Sequence, residues 1–404
     1  MISLDQARDI LLRAAPRTQP VPVPASRAAG CVLAQAVRAD RPLPPFDRAT
    51  MDGYAVRSGD LGPEGGELAC VGEVRAGDAQ WGDVQPGTCL AIMTGAAVPG
   101  GADAVIQLEH TQSETSAAGR ICFRVGADPG LNIVPRGQEA PAGAVLLEPG
   151  AVLSPGACGL LALCGLQEVQ VHARPRVALL STGDEIVPPE ASPAATQVRD
   201  TNRAIIQALL GRHGFEAVTD LGIARDDASD LSRKLGAGLG HEVLLVSGGV
   251  SRGAYDLVPG ILGELGVSCL FAGVAVKPGK PLWAGVSPAG ALVLALPGNP
   301  LAVLVHTSEL VVPLLRAMSG HPEPVLPLLR AALAEDVATA GDRLVLHPVR
   351  IAPRPDAAGL VAHPLAVHGS ADLAGAALAN GLVFLAAGRS AWHSGEEVPA
   401  RVWW

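Results

Sequence analysis

Lysine is nearly missing from this 404-residue chain: only Lys234, Lys277 and Lys280 occur, and arginine supplies the other cations. No run of either residue makes a stripe for a phosphate backbone. Thirty basic against thirty-nine acidic residues leave a net charge of −9, so nucleic acid is not an expected partner. Aromatic residues are only 3% of the chain, so the core must be aliphatic, and 48 glycines and 34 prolines punctuate it with turns. Such a composition predicts α/β plus β architecture and not a helical bundle. The seven cysteines, Cys31, Cys70, Cys89, Cys122, Cys158, Cys164 and Cys269, include no Cys-x-x-Cys pair. Neither a zinc site nor a disulfide framework is expected, and a reducing cytoplasm fits best. No uncharged apolar stretch is long enough to span a bilayer, and the N-terminus lacks a basic flank with an apolar core behind it. The most apolar window, 299–318, carries Asn299, His306, Glu309 and Arg316 and predicts a buried or amphipathic helix.

At this length one core stops growing, since single domains level off at about 250–300 residues, and two to four domains are expected. Ser3, with Gln6 three residues on, is a capping-box start for an apolar helical pattern that ends near Pro16. Between Pro42 and Pro135 short β-type runs (69–74, 89–93, 104–109 and 121–125) predict a small β-rich domain. Residues 138–172, helical over 155–163, are expected to return and pack on the N-terminal helix. The resulting division is a discontinuous domain of 1–44 with 138–172, a β-rich domain of 45–137, an α/β domain of 173–320 and a C-terminal β domain of 321–404. In the α/β part, strands at 177–181, 217–223, 243–247, 267–276 and 291–296 alternate with helices at 202–213, 227–239, 255–265 and 300–318. That rhythm predicts a doubly wound, mostly parallel sheet. Further strands are expected at 344–351, 381–385 and 397–402.

Ligands in such sheets sit at the carboxyl ends of the strands. Four polar turns fall there: Ser181, Thr182, Gly183, Asp184 and Glu185; Ser247, Gly248, Gly249, Val250 and Ser251; Lys277, Pro278, Gly279, Lys280 and Pro281; and Pro297, Gly298, Asn299 and Pro300. Each combines glycine with hydroxyl, carboxylate or ammonium groups able to hold phosphate and a cation. Two lysines around one Pro-Gly corner supply compact ammonium groups suited to a multiply charged oxyanion. The run from Gly273 to Lys280 has one residue too many for a Walker loop, and Pro281 stands where Ser or Thr must ligate magnesium. No Gly-x-Gly-x-x-Gly follows the first strand, which disfavours a dinucleotide-binding enzyme. Asp226 or Asp227 would cap the helix that follows. Asp256 is the stronger candidate for magnesium, which takes one or two carboxylates plus substrate oxygens. The ten histidines show no paired spacing and read as structural. Upstream, Pro45 to Val56 packs an Asp52-Gly53 turn and one of the two tyrosines into twelve residues, and Thr94-Gly95 forms a similar loop.

These motifs, with Asp200-Thr201-Asn202 and Met93 to Ala96, resemble the MoeA family of molybdopterin molybdenumtransferases, related to the E domains of gephyrin and the plant Cnx proteins. The resemblance spans essentially the whole chain. It implies four subdomains and an elongated homodimer whose active site lies between the sheet domain of one subunit and the β-rich domain of the other. The implied reaction inserts molybdate into adenylylated molybdopterin and releases AMP, with Mg2+ or a similar divalent cation. The implied catalytic positions are Asp52, Thr94, Glu185, Asp226, Asp256, Lys277 and Lys280, with Asp256 and Glu185 at the metal. The turn residues named above and Arg343 would bind substrate. Transient contacts with a molybdopterin adenylyltransferase and with apo-molybdoenzymes are implied, and no membrane. Gly273, Ala302 and Ala374 depart from the family pattern by replacing a basic residue and serines. They motivate an alternative, a pterin-binding chaperone or scaffold without turnover; a third reading is a molybdopterin adenylyltransferase, to which the additional domains are opposed.

Overall fold

The computed structural model describes residues 1–78, 82–112, 119–250, 257–339, 341–354 and 358–403. At its centre lies a six-stranded sheet in the order Val218–Ala224, Val177–Thr182, Val243–Ser247, Leu292–Leu296, Trp283–Val286 and Ser268–Ala272. The first four strands are parallel, Trp283–Val286 runs against them, and the edge strand Ser268–Ala272 is antiparallel to Trp283–Val286. Val177–Thr182, Val243–Ser247 and Leu292–Leu296 are buried along their whole length. Continuous apolar runs of this kind belong to sheets covered on both faces. Leu179, Leu245 and Leu294 point to one face with Ile206, Leu209 and Val303 of two helices; Leu180, Leu244 and Val293 point to the other with Leu231, Leu235 and Ile261.

The chain leaves Val177–Thr182 for one side of the sheet and comes back to the other side at Val243–Ser247. A crevice opens outside the carboxyl ends at such a reversal. Ser181 pairs in register with Ser247, and Ser247 with Leu296, so three of the polar turns leave the sheet at one level.

The single strand expected at 267–276 is broken. Ser268–Ala272 forms the edge of the central sheet, while Val276–Lys277 pairs with Leu344 and Val345 of the C-terminal sheet. The lysine turn is therefore not at the carboxyl end of a central strand, and it leads into Trp283–Val286, which the sequence reading missed because Ala284 and Gly285 blunt its alternation. Trp283 pairs with Ala295, which brings the exit of the lysine turn beside Leu296. The lysines reach the same edge of the sheet by a different route.

The helix Leu4–Ala14 opens with the expected capping box: Ser3 Oγ accepts from the Gln6 backbone N–H at 3.1 Å and Gln6 Oε1 accepts from the Ser3 N–H at 2.9 Å. Its packing differs from expectation. Leu4, Ala7 and Leu11 join the core of the central domain with Leu310 and Leu314, whereas residues 138–172 fold against the segment that follows the helix. Pro20–Pro24 pairs with Glu168–His172 and Val37–Arg38 with Val145–Leu147, around Leu33, Leu153 and Leu161. The helix Pro300–Met318, continuous through a π-helical turn at Thr307–Val311, is the one helix among the described residues long and apolar enough to cross a membrane. Its apolar window is 83% buried within the protein, as a core helix is.

The β-rich region forms a second six-stranded sheet with Gly53–Val56 second from one edge, between Ala104–Gln107 and Thr88–Ile92. In the C-terminal region Leu344–Pro353, Leu360–Pro364, Leu329–Leu333, Glu397–Val402 and Gly381–Leu385 pair in that order, and the last closes on the first. Closure into a barrel leaves these strands without open edges.

Candidate active site

The carboxyl ends of the parallel strands surround a cavity of about 320 Å³ lined by Ser181, Thr182, Gly183, Glu185, Asp226, Ser247, Gly248 and Gly249, and by Pro281, Pro297, Gly298 and Asn299. Gly248 lies so close to the first turn that a Cβ there would sit 2.7 Å from Thr182 Oγ1 and 2.8 Å from the Thr182 carbonyl oxygen. Any side chain at 248 would force the turns apart. The two neighbouring aspartates divide the roles that the sequence left open. Asp227 caps the helix Ala228–Gly238, accepting from the N–H groups of Ser229 and Asp230 at 3.0 Å each, while Asp226 lines the cavity. Asp184 faces an adjoining cleft, where its Oδ1 accepts from the Asp226 backbone N–H at 3.3 Å.

Two residues with no role assigned from the sequence hold these turns together. Asn202, buried at the start of the helix Asn202–Arg212, donates through Nδ2 to Ser247 Oγ and to the Gly298 carbonyl, both at 2.8 Å. Asp200 accepts from Ser181 Oγ at 2.6 Å and pairs with Arg203. One amide and one carboxylate thus tie three separate turns to the end of one helix. The available signal was Asp200-Thr201-Asn202 itself, a polar triplet directly before a helix. Asn202→Ala would leave the Gly298 carbonyl and Ser247 hydroxyl without this donor; a hydrogen bond of this kind contributes about 1 kcal/mol. We expect a several-fold to tenfold loss of affinity for a ligand of this cavity, measured by calorimetry, with the fold retained.

A second cavity, of about 440 Å³, adjoins the first and shares Pro281 and Asn299 with it. Lys277, Lys280 and Arg343 line it together with Gly279, His347 and Ser370, and its lining holds no carboxylate. Arg343 also donates through Nη1 to the Val276 carbonyl at 3.1 Å, which ties the guanidinium to the strand that carries Lys277. Three cations make this a positive recess, in which Arg343 is partly offset by the exposed Asp342 carboxylate 3.6 Å from its Nε. The first cavity carries the opposite sign through Glu185, Asp200 and Asp226. Pro300, expected at the site, lines neither cavity and instead begins the helix Pro300–His306.

Asp52 and Thr94 line neither cavity. They meet each other on the β-rich sheet: Asp52 Oδ1 accepts from the Thr94 backbone N–H at 2.6 Å and from Thr94 Oγ1 at 2.8 Å. These bonds, the backbone one first, hold the Asp52 carboxyl below the ordinary carboxylate range, so it is ionised at neutral pH. Ser251 and Asp256 lie outside the described residues. Among the described residues no three His, Cys, Asp or Glu side chains are gathered as a metal cage.

Family models match in order along the chain: the MoeA N-terminal region (domain I and II) over residues 2–165, a probable molybdopterin binding domain over 178–317, and the MoeA C-terminal region (domain IV) over 330–403. The chain belongs to the MoeA family. A protein named molybdopterin molybdenumtransferase from Synechocystis is 30% identical over 404 residues and is covered completely, as is this chain. Another from Haemophilus influenzae is 35% identical over 336 residues, covering 83% of this chain and 82% of its own. Among solved structures, a molybdopterin biosynthesis MoeA protein from Pyrococcus horikosii superposes with a TM-score of 0.80 at 31% identity, over 100% of this chain and 99% of that one. The MoeA fold, with a molybdopterin-binding domain between N- and C-terminal regions, is therefore the fold of this chain. Both cavities open at the molybdopterin-binding domain, and the second is completed by Arg343 and Ser370 of the C-terminal region.

Proposed function

We propose that this chain is a molybdopterin molybdenumtransferase, a transferase of molybdenum cofactor biosynthesis that inserts molybdate into adenylylated molybdopterin and releases AMP. The observation that carries this reading is the pair of adjoining cavities of opposite charge. Molybdate is a dianion, and Lys277, Lys280 and Arg343 would neutralise it and present it to the dithiolene of a pterin lying in the first cavity. The turns at Ser181–Thr182–Gly183 and Ser247–Gly248–Gly249 would bind pterin and phosphate, with Pro281 and Asn299 at the boundary where the two substrates meet.

A divalent cation such as Mg2+ fits the first cavity, because it needs one or two carboxylates and completes its shell with water and phosphate oxygens. Glu185 and Asp226 line that cavity and would hold the ion, with Asp256 as the further candidate; when bound, it would withdraw charge from the phosphate bridge that is cleaved.

Asp52 and Thr94 would act on the site of a partner subunit in a homodimer. Supporting this, Met51 and Met93, the neighbours of these two residues, are 42% and 40% exposed, and nearby Phe46 is 40% exposed. Exposed apolar side chains around an ionised carboxylate suit an interface more than open solvent. A cytoplasmic location fits seven free cysteines, and we propose transient transfer from a molybdopterin adenylyltransferase and to apo-molybdoenzymes. Mixing an Asp52→Ala chain with a Lys277→Ala/Lys280→Ala chain tests the shared site. Each variant alone should be inactive, and the mixture should recover about a quarter of wild-type AMP release, since half the dimers are mixed and each of those holds one intact site. Mixed dimers that form and stay inactive would refute it.

A further inference from the structure

His306 is completely buried, and the ring makes one polar contact among the described residues: Nε2 lies 2.7 Å from the carbonyl oxygen of Gly279. Gly279 is the corner between the two lysines. Because its partner is a carbonyl, Nε2 carries the hydrogen and donates. Desolvation by burial lowers the imidazole pKa to about 4, so the ring is neutral at neutral pH. Nδ1 is buried with no hydrogen-bond partner among the described residues. A buried imidazole with half of its polar capacity unmet costs free energy, and a residue kept under that cost calls for a reason.

The surroundings supply one. Gly279 has φ of +107°, and a Cβ there would collide with His306 Nε2, so ring and turn are in direct contact. His306 closes the helix Pro300–His306, whose other end is the Asn299 cap shared by both cavities. Immediately after it the helix changes to the π-helical turn Thr307–Val311, an irregularity that gathers at functional sites. One rigid element therefore touches the lysine turn at one end and the boundary of the two cavities at the other.

We propose that His306 is a positioning residue for the oxyanion recess: its Nε2–H pins the Gly279 carbonyl and thereby fixes the spacing and aim of Lys277 and Lys280. This rests on the reading that those lysines hold molybdate. The role requires a donor at the end of a side chain of this reach. Gln can place an N–H near the same point, and Leu fills similar space without one.

The test measures molybdate KM and kcat in AMP release, molybdate Kd by calorimetry, and AMP Kd as a control, for wild type, His306→Leu, His306→Gln and Lys277→Ala/Lys280→Ala. His306→Leu should raise molybdate KM and Kd about tenfold while AMP Kd stays unchanged, and His306→Gln should return molybdate affinity to within about threefold of wild type. If wild type binds molybdate and the double lysine variant does not, but a folded His306→Leu matches wild type, the positioning role is overturned and the oxyanion reading survives. If wild type binds no molybdate, both fall. Should His306→Leu not fold, nitrogen-15 histidine spectra of the wild-type protein decide. The Nε2–H tautomer with a resonance that moves on adding molybdate, and not on adding AMP, supports the proposal, and a resonance indifferent to molybdate overturns it.

Discussion

Lys277→Ala combined with Lys280→Ala should lower molybdate-dependent turnover by about 10³-fold or more while leaving the fold intact. Removing one preorganised group that stabilises developing charge costs about 10²–10³ in rate, and here two are removed from one recess. Both ammonium groups are exposed, and among the described residues neither makes an ion pair, so their loss orphans no buried carboxylate. Surface changes of that kind stay within about 0.5 kcal/mol in stability. Unfolding midpoints should therefore match wild type while steady-state AMP release collapses. Arg343 remains in the recess of the variant but does not replace the pair, because it is a single cation whose guanidinium donates to the Val276 carbonyl and lies 3.6 Å from the Asp342 carboxylate. Turnover within a few-fold of wild type would take the lysine turn out of the mechanism.

Glu309→Ala should produce the largest loss of stability of any single carboxylate substitution in the chain. The Glu309 carboxylate is fully buried and accepts from Arg401 Nε at 3.0 Å and Nη2 at 2.9 Å, from Ser308 Oγ at 3.0 Å and from Arg8 Nη2 at 3.4 Å. Arg401 is itself 2% exposed and stacks its guanidinium 5.7 Å from the centre of the Phe384 ring. Arg8 comes from the N-terminal helix, Glu309 from the central core helix and Arg401 from the C-terminal barrel. One carboxylate thus joins three segments that are far apart in sequence. Deleting it leaves Arg401 charged, buried and unpaired, which costs about 3–5 kcal/mol. Chemical denaturation should show an unfolding free energy lowered by that amount, with the midpoint moving down accordingly and the C-terminal barrel separating from the central domain. Replacing the pair together, Glu309→Leu with Arg401→Met, should recover most of the loss, since a buried pair exchanged for apolar groups of similar volume is close to neutral. A Glu309→Ala protein as stable as wild type would contradict this account of how the segments are joined.

The elements that could be read from the sequence were those whose signal is local. The capping box at Ser3 and Gln6, the buried strands at 177–182, 243–247 and 292–296, and the helices between them follow from periodicity and turn chemistry over a dozen residues. What remained hidden depended on partners distant in the chain. Gly273 divides an apolar stretch between two sheets, and nothing local shows that Val276–Lys277 will pair with Leu344 and Val345. The N-terminal helix has an apolar stripe that several surfaces could have covered; Leu4, Ala7 and Leu11 found the core helix at 300–318 and not residues 138–172. Two barrel strands, Leu329–Leu333 and Leu360–Pro364, carry a single β-branched residue between them, Val361, and so did not stand out.

The site was legible in the same uneven way. Turn residues carry hydroxyls, glycines and lysines that announce a ligand, and Ser181, Ser247 and Asn299 do line one cavity. Asn202 and His306 escaped notice because an amide or imidazole gains its meaning from the backbone carbonyl it faces: Gly298 in one case and Gly279 in the other. The separate acidic and basic cavities were likewise invisible, since Glu185 and Asp226 belong to one run of sequence and Arg343 to another more than a hundred residues on.

The central claim is that the positive recess delivers molybdate to a pterin held next to it. Purified protein with adenylylated molybdopterin and Mg2+ should release AMP in step with added molybdate, and the product should activate an apo-molybdoenzyme. AMP release that is independent of molybdate, or tight pterin binding with no AMP released at any molybdate concentration, would contradict it.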